Sequence, residues 1–494
     1  SPRRFARAAR RIAKKKPIVA VKSGRTAAGA RAASSHTGSL ASLDVAVETL
    51  FRQAGVIRTD TLTEMFDVAA FVANQPLPQG RRIGIVTNAG GPGIHAVDAL
   101  ESNGLEVVEF SEELKKDLQG YLAADASVTN PVDMIASAGP QEYAACIDTL
   151  MRSAEIDALM TIFIPAAPEG AEEMAATIRD AALAHHGKKP FLAVYMSSKG
   201  APHLFSSGKK RIPTYQFPES AAFALSRAVE YREWRAKDEG AVLSFPDVRP
   251  SVAREIVEQA IRRSGETWLD PDEVEGVLSA YGLAMPKSSV VTSAEDAAVE
   301  AERLGGPVVV KVLSESALHK SDVGGVVLNV EGDVAVREAY ASVTAAVPDP
   351  EGALLQQYVE GGHEVLIGMT EDPNFGPLIV FGLGGVFVEL IGDVAFRIHP
   401  LTDLDTAEMI DEVKSSQLLA GYRGGAAGDV AAVREALMRV SALVADVPEI
   451  MEMDLNPVKV AEPGKGLSVV DARIKVRPVV GAWLPSRRDV LSEL

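Results

Sequence analysis

The sequence predicts a multidomain α/β chain: a first half built on a mostly parallel sheet covered on both faces, followed by an α+β half with antiparallel pairing. Three observations lead there. Short apolar runs at Ala158–Ile164 and Pro190–Tyr195 are separated by helical stretches, as in buried parallel strands. A charged, Pro-containing stretch from Arg235 to Pro250 then interrupts the pattern. Beyond Asp270 the strands alternate apolar and polar residues and are joined by hairpin turns, the mark of antiparallel pairing. At 494 residues, and with about 150 per domain, about three domains are expected.

The elements follow in order. Residues 1–75 read as a helix, a strand (Pro17–Lys22), a Gly-rich loop and an apolar-periodic helix from about Ser39 to Ala54. Strand Ile83–Thr87 runs into the loop NAGGPG, with a helix expected from Ile94. Gly139 and Pro140 open an amphipathic helix, because proline suits a first turn whose N–H has no intrahelical partner. In the second half VVTSAEDAAVEAERLG is strand, Ser cap and helix, and PVVVKV is a strand.

Composition bounds the function classes. Apolar residues make up 47% and charged residues 24%, so real cores are affordable and neither disorder nor a fibrous repeat is indicated. A net charge of −17 argues against broad nucleic-acid binding, and the local basic run from Arg3 to Lys16 reads as a solvated helix face. The single cysteine, Cys146, excludes an internal disulfide. No apolar stretch is long enough to span a bilayer, and a reducing cytoplasm with no membrane partner is the expectation. The chain opens at Ser1 inside what reads as a domain, so an upstream portion is expected.

Four features of the second half bear on chemistry. Lys311 lies within PVVVKV, where apolar neighbours make an unpaired ammonium expensive, so it needs an anion. A nucleotide phosphate and a structural carboxylate both satisfy that need. In LLQQYVEGGHEVLIGM, backbone groups around Gln357–Val359 are placed to meet an adenine edge and Glu364 to accept from ribose hydroxyls; a plain hairpin with an exposed acid is the alternative. Gly384 and Gly385 in FGLGGVFVEL permit close backbone approach to an anion. Finally, MEMDLNPVKV and LSVVDARIKV flank the turn AEPGKG as an antiparallel hairpin. Counting from Gly464 makes Asn456 and Asp471 cross-strand neighbours, with Asp454 and Glu452 continuing the row. Hard oxygen ligands on rigid strands suit Mg²⁺ held together with substrate phosphates. In the first half, His36 sits in a loop of small residues just before a helix, where amide groups and the macrodipole favour phosphate. A neutral imidazole there is a competent phosphoryl acceptor, and a loop or capping histidine is the bland alternative.

Taken together, residues 265–475 resemble the ATP-grasp fold in the version found in ADP-forming acyl-CoA synthetases and succinyl-CoA synthetase, on PVVVKV, LHKSDVGGV, the LLQQYVEGGHEVLIG hinge, FGLGGVFVEL and the EMDLNPVKV/VVDARI hairpin. The SHTG segment around His36, TNAGGPG and TNPVDMIASAGPQEYAACIDTL resemble the same family's flavodoxin-like, succinyl-CoA-synthetase-like modules. The resemblance implies phosphohistidine at His36, steadied by Gly90, Gly91 and the helix opening at Gly139, and it offers His319 as a second phosphorylation site. It further implies ATP or ADP held by Lys311, Gln357, Val359, Glu364, Gly384 and Gly385, Mg²⁺ held by Asn456 and Asp471, and CoA, phosphate and a short-chain carboxylic acid as substrates. It implies an oligomer and a CoA-binding module supplied in cis or trans. The expected boundaries are 1–75, 76–235, a linker at 236–255, an ATP-grasp domain at 256–477 and a tail at 478–494. An acyl-CoA-sensing module of a protein acetyltransferase and an ATP-grasp carboxylate–amine ligase are the rival readings.

Overall fold

The computed structural model describes residues 2–22, 44–165, 170–314, 324–372, 375–384 and 393–479. Contacts divide the chain into two compact units, Ser1–Asp238 and Glu239–Leu494.

The first unit begins with α1 (Pro2–Ala13), β1 (Ile18–Val21), α2 (Asp44–Ala54), β2 (Val56–Thr59) and α3 (Leu62–Asn74). β1 and β2 pair in parallel. α3 starts where Thr61 and Glu64 form a reciprocal capping box, satisfying two otherwise orphaned N–H groups. Next come β3 (Ile83–Thr87), α4 (Gly90–Ser102), α5 (Glu112–Gln119), β4 (Val132–Asp133), α6 (Pro140–Arg152), β5 (Ala158–Phe163), α7 (Ala171–Ala184), β6 (Phe191–Tyr195), β7 (Thr214–Tyr215) and α8 (Pro218–Ala236). The five strands form a parallel sheet in the order β4-β3-β5-β6-β7. Alternate strand residues feed two cores: Val86, Leu159 and Phe163 pack with α5, α6 and α7, whereas Ile83, Ile85, Met160 and Ile162 pack with α4 and α8. That two-sided burial is why these strands read as continuous apolar runs.

The second core also contains Ala13, Ile57, Val68 and Phe71, with Ile18 and Val19 packed against it, so α1, β1, β2 and α3 share packing with the larger sheet across position 75. Gly55 shows how close that approach is. Its φ is +68°, and a Cβ there would lie 2.3 Å from the Trp234 ring of α8.

One boundary differs from expectation. α4 begins at Gly90 rather than Ile94, because Pro92 occupies the first turn, where its missing N–H costs no intrahelical bond.

The second unit opens with residues expected to be linker, yet they are packed. The Arg439 guanidinium lies over the Phe245 ring at 4.4 Å and bonds Asp247 at 2.9 Å, and α9 (Pro250–Ser264) already begins inside the expected linker. There follow β8 (Thr267–Trp268), α10 (Pro271–Ala280), β9 (Ser288–Val291), α11 (Ala294–Leu304), β10 (Val308–Leu313), β11 (Val326–Val330), α12 (Asp333–Ala345), β12 (Gly352–Gln357), β13 (His363–Asp372), β14 (Gly376–Leu383) and β15 (Val394–Ile398). The unit closes with α13 (Asp403–Glu412), α14 (Val430–Asp446), β16 (Ile450–Val460), β17 (Leu467–Val469) and β18 (Ala472–Val476). A smaller antiparallel sheet has the order β11-β10-β12-β9. A larger one runs β15-β14-β13-β16-β18-β8, with β17 also on β16. The segment Tyr358–Gly362 links the two sheets. Among the described residues no helix is long and apolar enough to cross a membrane.

Candidate nucleotide site

β10 alternates its faces. Val308, Val310 and Val312 enter the core beneath the smaller sheet, which turns Val309 and Lys311 to the other side. Lys311 is 5% exposed, and its ammonium donates to the Val470 carbonyl at 2.9 Å and lies 3.9 Å from Asp471 Oδ1. The partner is therefore the carboxylate hairpin of the larger sheet. Burial pulls the Lys311 pKa below the ordinary lysine value, and the Asp471 charge opposes that shift only in part.

The hairpin has the expected register. Val458 faces Val469, Leu455 faces Ala472, and the Asn456 N–H donates to the Asp471 carbonyl at 3.0 Å. Val470 and Asp471 fall in the gap between β17 and β18, so the ladder is interrupted where the Val470 carbonyl meets Lys311. The remainder of the expected row is used differently. Asp454 stands opposite Arg473, and among the described residues no group of three or more His, Cys, Asp or Glu forms a metal cluster. Asn456 and Asp471 remain as a two-residue oxygen pair, which fits an ion that keeps several waters and phosphate oxygens.

At the hinge, Gln357 is spent on structure. Its N–H donates to the Lys287 carbonyl at 2.9 Å and its side-chain amide to the Leu304 carbonyl at 2.7 Å. The Val359 carbonyl accepts from Lys459 at 2.8 Å. Glu364 is exposed on β13, opposite Lys459 in the ladder, and its carbonyl accepts from the Gly384 N–H at 2.7 Å. A Cβ at Gly384 would sit 3.2 Å from Glu364, so a larger residue crowds this contact.

The residue that sequence reasoning missed is Gln356. It is 1% exposed, and both of its amide atoms lack a partner among the described residues. It pairs with Val309 in the ladder while Leu354 pairs with Lys311, so Gln356 shares the Lys311 face. A buried, unsatisfied carboxamide costs about 1–3 kcal/mol, and a ligand group, an ordered water or a residue outside the described ones would each complete its bonding. The strand period would have exposed it, since positions 354 and 356 face away from the core residues Ala353 and Leu355.

In the first unit, Gly90 and Gly91 lie in the first turn of α4, whose start has no side-chain cap. A Cβ at Gly90 would lie 3.0 Å from Asp133 Oδ2, so a carboxylate already stands at this helix terminus. The other Asp133 oxygen accepts from the N–H of Ile135, a residue with φ of +58°. Gly139 is the N-cap of α6, and its N–H donates to Glu142 at 3.0 Å. His36, His319 and Gly385 lie outside the described residues.

Family profiles match in the same sequence order as these sites. An ATP-grasp domain matches residues 260–476, a succinyl-CoA ligase like flavodoxin domain residues 1–72, and a Ligase-CoA domain residues 83–235. The chain is 38% identical over 479 residues to acetate–CoA ligase [ADP-forming] I of Archaeoglobus fulgidus, covering 96% of this chain and 68% of that protein. It is 33% identical over 494 residues to acetate–CoA ligase [ADP-forming] of Methanocaldococcus jannaschii, covering 96% and 69%. Against 4-hydroxybutyrate–CoA ligase [ADP-forming] of Nitrosopumilus maritimus the identity is 33% over 467 residues, covering 93% and 66%. The chain thus spans about two thirds of the length of these relatives. A likeness that runs through all three matched segments, at this identity and over nearly the whole chain, places it in the family of ADP-forming acyl-CoA ligases.

Proposed function

We propose that this chain carries the phosphoryl-transfer part of an ADP-forming acyl-CoA ligase, interconverting acyl-CoA, ADP and phosphate with a carboxylic acid, ATP and CoA. The observation that carries this reading is the buried Lys311 ammonium beside Asp471, on a hairpin that sets Asn456 opposite Asp471. A buried cation, a rigid oxygen pair and an unsatisfied carboxamide on the cation's face fit a nucleotide's phosphates, their metal and its base.

In the proposed sequence, phosphate displaces CoA from the acyl carbon, giving an acyl phosphate. A His36 ring nitrogen then attacks phosphorus; the N–P bond forms as the acyl O–P bond breaks, and the acid leaves as carboxylate. A terminal ADP phosphate oxygen next attacks the phosphohistidine, breaking N–P and forming ATP. Lys311 neutralises phosphate charge in a site of low dielectric, where a fixed cation is worth more than in water. Asn456 and Asp471 would hold Mg²⁺, which when bound screens the nucleotide's phosphate oxygens. Val359, Glu364, Gly384 and Gly385 would line the base, ribose and phosphate positions, with Gln357 supporting the hinge through Lys287 and Leu304. Gly90, Gly91 and Gly139, at two helix starts, would receive phosphohistidine. His319 would relay phosphate between ATP and His36.

Incubation with ATP and Mg²⁺, followed by mass mapping of acid-labile, base-stable phosphate, tests this reading. Label on His36 is expected, with its loss in His36→Asn and in His319→Ala. ATP turnover without any phosphohistidine would exclude the carrier and favour direct ligation. Normal His36 labelling in His319→Ala would remove the relay.

A further inference from the structure

Lys459 projects from β16 between two parts of the candidate site. Its ammonium donates to the Val359 carbonyl at 2.8 Å and lies 5.5 Å from the centre of the Tyr358 ring. Its Cα partner across the ladder is Glu364. The inter-sheet segment it grips is otherwise permissive, since Gly361 and Gly362 have φ of +67° and +80°. On the other side the Tyr358 N–H is held by the Pro307 carbonyl at 2.9 Å. Among the described residues no hydrogen bond uses the Val359 N–H, which lies between these two anchors.

We propose that Lys459 is a positioning residue for the nucleotide's base and ribose: it clamps the Val359–Glu360 peptide so that the adjacent Val359 N–H and the Glu364 carboxylate are held ready for the ligand. This rests on the nucleotide reading of the site. A peptide is planar, so fixing the Val359 carbonyl fixes the plane on its C-terminal side, and the Pro307 bond fixes the neighbourhood on its N-terminal side. The Val359 N–H between them, without a partner among the described residues, is preorganised, and ordering that binding would otherwise have to impose is already in place. The cation also offsets the Glu364 charge across the strand pair, where opposite charges are favourable. Lys459 lies on the hinge side of the hairpin and is assigned no contact with phosphate.

The test separates this role from simple support of the fold. Binding of ADP·Mg²⁺ and of Mg²⁺-tripolyphosphate, which lacks base and ribose, is measured by calorimetry for wild type, Lys459→Met and Lys459→Arg. ADP should bind roughly tenfold more weakly to Lys459→Met, the size of one well-placed charged hydrogen bond, while tripolyphosphate affinity stays unchanged. Lys459→Arg should recover to within about threefold of wild type, because it restores a charged donor. Unchanged ADP binding in Lys459→Met, or equal loss for both ligands, would overturn the proposal. Should Lys459→Met fail to fold, Lys459→Gln, too short to reach Val359, carries the same comparison. Wild-type protein that binds neither ligand would overturn the nucleotide reading itself, and this inference with it.

Discussion

The Lys311 ammonium lies 3.9 Å from the Asp471 carboxylate, although Lys311 is in the smaller sheet of the second unit and Asp471 sits between two strands of the larger one. The closer partner is the Val470 carbonyl at 2.9 Å, and the carboxylate is more exposed than the lysine. Among the described residues the buried cation has one neutral acceptor and one partly solvated counter-ion, an arrangement that leaves room for a further anion in the proposed site.

Removing either group should abolish nucleotide stabilisation before it abolishes folding. At a hundredfold excess over the dissociation constant, ADP·Mg²⁺ stabilises by about 2.7 kcal/mol. Lys311→Met and Asp471→Asn should lose most of that shift in thermal denaturation, and equal shifts in wild type and both variants would refute the assignment.

The pH dependence has a defined sign. Burial lowers the folded-state pKa of Lys311 below the ordinary 10.5. Between the two values the unfolded chain binds a proton that the folded chain lacks, so this group makes stability rise with pH across that window. Nucleotide binding favours the charged lysine, so ADP affinity should instead fall as pH climbs through the lowered value. Lys189 in the first unit, pushed down to about 8 by burial, acts on stability with the same sign. Melting curves of wild type minus Lys311→Met isolate the Lys311 contribution, and calorimetry in buffers of different ionisation enthalpy should show proton uptake on ADP binding at alkaline pH.

Gln356→Leu should move stability and binding in opposite directions. Replacing a buried amide that is unpaired among the described residues with an apolar side chain of similar size removes a penalty of about 1–3 kcal/mol, so the ligand-free protein should melt at or above the wild-type temperature. ADP affinity should fall roughly tenfold. A variant that is less stable yet binds ADP normally would show that the amide serves packing alone.

Asp133→Asn keeps the acceptor for the Ile135 N–H and removes the charge at the start of α4. Loss of a carboxylate at a helix N-terminus costs about 0.3–1 kcal/mol. If that terminus serves phosphohistidine, the resident carboxylate competes with phosphate, and His36 labelling by ATP should rise in the variant. Lower stability with unchanged labelling would restrict Asp133 to holding the helix.

Gly55→Ala should be severely destabilising. It combines a positive φ, costing roughly 1–2 kcal/mol, with a clash against the Trp234 ring worth about 1–3 kcal/mol. Urea unfolding should show the midpoint falling for the whole first unit, because Val68 and Phe71 share a core with the larger sheet. A shift confined to part of the unit would mean that its two segments fold separately.

Much of this organisation was legible in the sequence because it depends on local chemistry. Strand periodicity showed which half is parallel and which antiparallel. A turn of known length set the register of Asn456 against Asp471, since hairpin pairing follows from counting outward from Gly464. The apolar surroundings of Lys311 told of a buried cation. Sequence left open what that cation meets, because a contact between two sheets depends on how they pack, and nothing local in PVVVKV encodes the approach of Val470 and Asp471. The same reason explains Gln356 and Gln357. Adjacent glutamines are chemically identical in the sequence, yet strand alternation sends one to the Lys311 face and leaves the other to bond Leu304. Tertiary structure alone also set Lys459 against Val359 and placed Asp133 at the start of α4, since each is a relation between segments that only packing brings together.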